Sequence, residues 1–323
     1  MQHPRLVVIG IGAIGGVVGG CLARAGRDVV FVARGAQLAA IRGGGLRIET
    51  PTGAFVVTPP VVADPADVDW RDGDVALLAV KTQDAEPVLV ALAAAAPRVP
   101  VVCLTNGLET ERLALRRTAE VVAGCVMLPG TYLAPGVVQA WATPGPGAID
   151  LGRYPTGGGA IAAAVAGELR AAGFDCELRD DILRWKRGKL ISNLANGAEA
   201  LCGRGARQTP LAERARREAM ACFEAAGLSY AAPDEYAARN VATQSRPIGS
   251  ATRTGGSTWQ SLARGGSLET DYLNGEIVLL GRLHGVATPV NAMLQQVAAA
   301  AARRGAPPGS MTIAELEALV PGA

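Results

Sequence analysis

The chain has little histidine, no clustered cysteine, no excess of charge and no long apolar run, and each shortage narrows its chemistry. Of its 323 residues only two are histidines. His3 precedes the first apolar run, and His284 lies in Leu283-His284-Gly285-Val286, the pattern of a helix C-terminus. Neither stands where an imidazole acid is expected, so any proton donor is another residue type. The six cysteines (Cys21, Cys103, Cys125, Cys176, Cys202 and Cys222) include no CxxC pair, which argues against a zinc site and a disulfide framework. They read as small apolar residues of a reducing cytoplasm. A net charge of +2 with 19% charged residues offers nucleic acid no basic stripe, while leaving room for a small anionic ligand. No apolar run reaches the roughly 18 residues of a membrane span, and glycines break the apolar N-terminus, unlike a signal peptide. The expectation is a cytoplasmic protein with no nucleic-acid or membrane partner.

What is present suits two domains: 49% hydrophobic residues can build a core in each. Leu6-Val7-Val8-Ile9 is followed by Gly10-Ile11-Gly12-Ala13-Ile14-Gly15, a strand leading into a dinucleotide fingerprint. In such a turn Gly10 permits the bend, Gly12 lets backbone approach a pyrophosphate, Gly15 lets helix and strand pack closely, and the helix N-terminus holds the anion. A helix through Val17 to a C-cap at Gly26 and a strand at Val29-Val30-Phe31-Val32 complete a β-α-β unit. The second strand ends in Ala33-Arg34, and no carboxylate stands between Val29 and Gln37. Arg34 therefore suits a ribose 2′-phosphate, and NADP(H) rather than NAD(H) is expected.

A hairpin is expected at Leu46–Thr50 and Ala54–Thr58, then parallel strands at Asp74–Val80, Val101–Leu104 and Val121–Cys125, with an Ala-rich helix over Asp84–Ala96. Val137–Trp141 and Ile149–Gly152 suggest an antiparallel extension. From Asp180 the pattern turns helical: Asp180–Ala200, Pro210–Ala226, Pro233–Ser245, Leu268–His284 and Pro289–Arg303, with Thr209 and Thr288 as N-caps before proline. The expected fold class is α/β, a Rossmann-type domain over residues 1–179 followed by an all-helical domain over 180–323.

Lys81 and Asn106-Gly107 each follow a buried strand, at the sheet edge where open α/β folds bind ligands. Lys189, Asn193 and Asn196 fall at i, i+4 and i+7, one face of a continuous helix. In Leu268–Glu276, read as the opening of a helix, Glu269 is placed to meet a lysine of another helix.

Together these stretches resemble the ketopantoate reductase (2-dehydropantoate 2-reductase) family: GxGAxG, the strand-end lysine and Asn-Gly turn, Trp185 with Lys189 and Asn193, Glu269 through Gly275, and His284-Gly285 with Pro289, in order over nearly the whole chain. The resemblance implies a Rossmann-type NADP-binding domain, a helical domain like the C-terminal one of 6-phosphogluconate dehydrogenase, and an active site in the cleft between them. It implies NADPH-dependent reduction of 2-dehydropantoate to pantoate, a step towards pantothenate and coenzyme A. Lys189 would be the general acid, and Glu269 would hold a substrate hydroxyl and favour the charged lysine. Ser257 would bind substrate, Asn106 and Asn193 would position nicotinamide and substrate, and Lys81 would lie beside the cofactor with Gly10, Gly12, Ala13, Ile14, Gly15 and Arg34. Two departures stand out. Gly197 occupies the place of a family asparagine, with Asn196 as the substitute one position earlier, and the longer tryptophan-to-lysine spacing makes Lys186 a rival acid. The alternative substrate is another 2-keto acid or related carbonyl; the alternative class is a non-catalytic NADP(H) sensor. A monomer or homodimer is expected.

Overall fold

Short runs of branched apolar residues set the first sheet of the computed structural model, which describes residues 3–321. The elements up to the end of the first helical crossover set are β1 (Leu6–Ile9), α1 (Ala13–Arg24), β2 (Val29–Val32), α2 (Gly35–Gly44), β3 (Leu46–Thr50), β4 (Gly53–Val57), β5 (Val61–Val62), β6 (Val75–Leu78), α3 (Ala85–Ala95), β7 (Val101–Cys103), α4 (Glu109–Leu115), β8 (Val121–Met127), β9 (Gly130–Ala134), β10 (Val137–Ala140), β11 (Ala148–Arg153) and α5 (Ala160–Ala171). Seven strands pair in the order β11-β8-β7-β6-β1-β2-β5, parallel except for antiparallel β11. The order reverses between β1 and β6, the switch point at which such sheets open a crevice at their carboxyl edge. Leu6, Val7, Val8, Phe31, Leu77 and Leu78 are fully buried, as strands covered on both faces require.

The expected hairpin is present as β3 and β4, but it belongs to a separate four-stranded sheet, β4-β3-β10-β9. The antiparallel extension is therefore divided: β10 pairs parallel with β3 in the small sheet, and β11 alone edges the large one. A Cβ on Gly19 would stand 2.5 Å from Phe31 of the large sheet, and Cβ atoms on Gly16 and Gly20 would stand 2.7 and 2.6 Å from Val138 and Ile48 of the small one. Three helical glycines cost α1 about 3 kcal/mol of propensity. Burial of those three side chains, at about 1.5–3 kcal/mol each, offsets it.

The helical part contains α6 (Ile182–Asn193), α7 (Asn196–Cys202), α8 (Pro210–Ala225), α9 (Pro233–Asn240), α10 (Ser257–Ala263), α11 (Asn274–His284), α12 (Pro289–Arg303) and α13 (Ile313–Glu317). Thr209 caps α8 as expected, its hydroxyl accepting from the Ala212 N–H at 3.3 Å. Thr288 does not cap α12; the Glu218 carboxylate reaches across from α8 and accepts from the Val290 and Asn291 N–H groups at 2.9 and 3.0 Å. Gly285 closes α11 in the left-handed region, so His284 does end a helix. Among the described residues no helix is long and apolar enough to cross a membrane.

The chain forms two compact units, one reaching to Leu183 and including Ala237–Arg253, the other comprising Arg184–Tyr236 and the residues from Thr254 onward. The return of Ala237–Arg253 to the first unit has no counterpart in a simple division at 179/180. It is tied there by Arg239, which donates to the fully buried Asp150 of β11 and to Asp175. Burial pushes the Cys21 and Cys176 thiols up to about 12 and Cys222 up to about 11, in keeping with their reading as apolar packing residues.

Candidate functional site

In the first unit, β1 delivers the glycine loop to the switch point. A Cβ on Gly10, where φ is +96°, would lie 2.9 Å from the Val80 backbone nitrogen, and one on Gly15 would lie 2.1 Å from the Gly10 carbonyl oxygen. Neither backbone neighbour can yield cheaply, so both positions demand glycine. At Gly12 a Cβ would meet nothing within 4 Å; the space there is open for something else. Helix α1 starts at Ala13 with no side-chain cap and no acidic residue in its first turn, leaving its first amides for an anion. These residues fit the pyrophosphate of a dinucleotide. The loop is braced by Gln37, whose amide donates to the Ile11 carbonyl at 2.8 Å and accepts from the Gly136 N–H at 2.7 Å.

Arg34 is exposed at the start of α2, and its Nη2 donates to Asp64 Oδ2 at 3.1 Å. Strand β5 brings Asp64 there by pairing parallel with β2, Val62 beside Val32. A carboxylate thus does stand at the end of β2, although none is near in sequence. Asp64 is held in place by capping the 3-10 turn Pro65–Asp67. Half-buried Lys81 begins another 3-10 turn after β6, and the Thr82 hydroxyl donates to the Asn106 carbonyl at 3.0 Å. The ends of β6 and β7 are thereby joined beside the glycine loop.

In the second unit, α6 places Lys189 and Asn193 one turn apart, both half-buried. A Cβ on Gly188 would press on the Ala231 carbonyl at 2.8 Å, so a glycine before Lys189 is what lets α6 pack there. Lys186 is only 3% exposed, whereas Lys189 retains accessible surface. The expected continuous helix through Asn196 is broken: α6 ends at Asn193 and α7 begins at Asn196. The break is stabilised by Asn274, whose Nδ2 donates to the Leu194 carbonyl at 3.0 Å and to Asn291 Oδ1 at 2.9 Å. The helical alignment of Asn196 under Lys189 therefore fails, and Asn196 is buried with its Oδ1 accepting from Arg207. Ser257 opens α10 and is exposed. Glu269 stands ahead of α11, half-buried and immediately before the 3-10 turn Thr270–Tyr272, rather than inside a helix begun at Leu268.

The model of the ketopantoate reductase PanE/ApbA family matches residues 6–156, and that of its C-terminal part matches residues 181–302. A 2-dehydropantoate 2-reductase of Halobacterium salinarum is 31% identical over 93% of this chain and 100% of its own length. The chain belongs to the ketopantoate reductase family. Another 2-dehydropantoate 2-reductase, from Archaeoglobus fulgidus, is 31% identical over 91% of this chain and 96% of its own. The crystal structure of a PanE/ApbA family ketopantoate reductase from Ralstonia eutropha superposes with a TM-score of 0.77 at 30% identity, covering 93% of this chain and 99% of that one. A D-mandelate dehydrogenase shares the fold, with a TM-score of 0.79 at 21% identity.

Within this family member, Gln37, Asp64, Glu199 and Arg207 escape a reading of sequence. Gln37, Asp64 and Glu199 each bond to a group distant in the chain, Arg207 bonds back across the break between α6 and α7, and none sits in a motif. Buried polar character was the available signal for Glu199, a carboxylate inside the apolar run Ala198–Leu201.

Proposed function

We propose that this chain reduces 2-dehydropantoate to pantoate with NADPH in the cytoplasm, as a monomer or homodimer. The observation that carries the proposal is the match to relatives of that name over most of this chain, 93% of it and 100% of the Halobacterium salinarum protein.

When bound, NADPH supplies the hydride that adds to the substrate's carbonyl carbon. Gly10, Gly12, Ala13, Ile14 and Gly15 would hold its pyrophosphate, Arg34 the 2′-phosphate, and Lys81 the adenosine side. Lys189 holds a proton at the carbonyl oxygen: its ammonium stabilises the developing alkoxide and then transfers the proton. Glu269 accepts from a substrate hydroxyl and favours the charged lysine. Asn193 and Ser257 would orient the substrate, and Asn106 would hold the nicotinamide end. The engagement of Asn196 with Arg207 removes one contact from this set and favours a second reading, reduction of a different 2-keto acid.

Steady-state turnover with a panel of 2-keto acids, each with NADPH and NADH, separates the readings. Ketopantoate with NADPH is expected to show the highest kcat/KM; oxidation of NADPH only with another keto acid would replace the substrate, and none with any keto acid would overturn the reductase. In the same assay Arg34→Ala is expected to raise the KM for NADPH about tenfold, the worth of one charge-assisted hydrogen bond to phosphate, and to leave that for NADH unchanged. An equal change for both cofactors would remove Arg34 from the discrimination.

A further inference from the structure

An ion pair in the second unit grips the backbone beside two of the proposed substrate contacts. The Glu199 side chain is 5% exposed and that of Arg207 32%. Glu199 Oε2 accepts from Arg207 Nη1 at 2.9 Å, and Oε1 accepts from the Gly256 N–H at 3.1 Å. Arg207 also donates through Nη1 to Asn196 Oδ1 and through Nη2 to the Ser192 carbonyl at 3.0 Å. Gly256 immediately precedes Ser257, and Ser192 immediately precedes Asn193. A Cβ on Gly256 would stand 3.0 Å from Glu199 Oε2, so this glycine lets the carboxylate lie directly against the start of α10.

Stability alone is a poor reason for this arrangement, because desolvation of the buried Glu199 carboxylate offsets most of its attraction to Arg207 and apolar residues of like volume serve as well. What apolar residues cannot do is bond to a backbone N–H and a backbone carbonyl at once. We propose that Glu199 and Arg207 are positioning residues that set the spacing between Asn193 and Ser257, and through it the affinity for the 2-keto acid; the proposal rests on the reductase reading above. Glu199 supplies the acceptor for the Ser257 loop, and Arg207 both neutralises that carboxylate and holds the end of α6.

The test is steady-state kinetics of Glu199→Ala, Glu199→Gln, Ser257→Ala and the double variant Glu199→Ala with Ser257→Ala. Glu199→Ala is expected to raise the KM for the keto acid about tenfold, with kcat within about threefold and the KM for NADPH unchanged. Glu199→Gln keeps an oxygen for the Gly256 N–H and is expected to recover most of that loss. If Glu199 acts through Ser257, the double variant is no worse than Ser257→Ala. Additive losses, or an unchanged keto-acid KM in Glu199→Ala, would overturn the positioning role while wild-type turnover leaves the reductase reading standing. If Glu199→Ala does not fold, Arg207→Lys, which loses the fork that bonds both Glu199 and the Ser192 carbonyl, carries the same cycle against Ser257→Ala. Wild-type turnover of a keto acid other than ketopantoate overturns only the substrate, and the series is run with that acid. A wild type that turns over no keto acid overturns both proposals.

Discussion

Lys189→Ala is expected to lower kcat for 2-dehydropantoate by about 10³-fold, the usual worth of a positioned general acid, while NADPH still binds with wild-type affinity. The size follows from two losses: the cation opposite the developing alkoxide and the proton that ends the step. Lys189→Arg separates them, since a guanidinium keeps the charge but does not release a proton. It is expected to retain more activity than alanine and to lose the fall in kcat/KM at high pH that deprotonation of a lysine acid produces. Cofactor titration by fluorescence, with single-turnover rates, checks both halves. The rival, Lys186, is buried to 3% exposure in the body of α6, so Lys186→Met is expected to affect stability more than turnover. A Lys189→Ala variant that turns over normally beside an inactive Lys186→Met would exchange the two roles.

The second large effect is structural. Arg239→Ala is expected to destabilise the first unit by about 3 kcal/mol, because Asp150 is 0% exposed and would lose its shortest partner. Arg239 donates to Asp150 through Nε at 3.1 Å and Nη2 at 2.6 Å, and to Asp175 through Nη1 at 2.5 Å. The loss stays below the upper end for a stranded buried charge, since Arg179 Nε at 3.3 Å and the Glu177 N–H at 3.1 Å still serve the carboxylate. Burial works against the Arg239 charge, but Asp150 and Asp175 outweigh it and raise the pKa above its ordinary value. A raised basic group contributes fully at every pH below its unfolded value, so the guanidinium's part of this stability is constant through neutral pH. Thermal and urea unfolding measure it, with a fall of about 6–12 °C in Tm for a unit of this size. Limited proteolysis should open Ala237–Arg253 first; an unchanged Tm and cleavage pattern would refute the clasp.

The β-α-β start was legible because its signals are local. A run of four branched residues, a glycine that needs positive φ at Gly10 and a glycine at Gly26 past the helix end are written in neighbouring positions. The helical half was legible for the same reason, and Thr209-Pro210 began a helix where its pattern said. Thr288-Pro289 shows the limit: the same signal begins α12, yet the cap comes from Glu218, seventy-two residues earlier. The apolar period of residues 180–200 could not register the break after Asn193, since what satisfies the Leu194 carbonyl is an amide eighty positions on.

By itself the sequence determined the glycine loop, the opening β-α-β unit, the turn from an α/β half to a helical half, the family, and the candidates Lys189, Asn193, Ser257 and Glu269. Periodicity, turn residues and motif order are properties of adjacent positions, and they survive reading in one dimension. Only the tertiary structure decided that Arg34 faces Asp64, that the hairpin leaves for a second sheet, that Asn196 turns to Arg207, and that Glu199 carries the loop before Ser257. Each of these depends on which distant backbone group or charge the fold brings within about 3 Å, where a hydrogen bond forms.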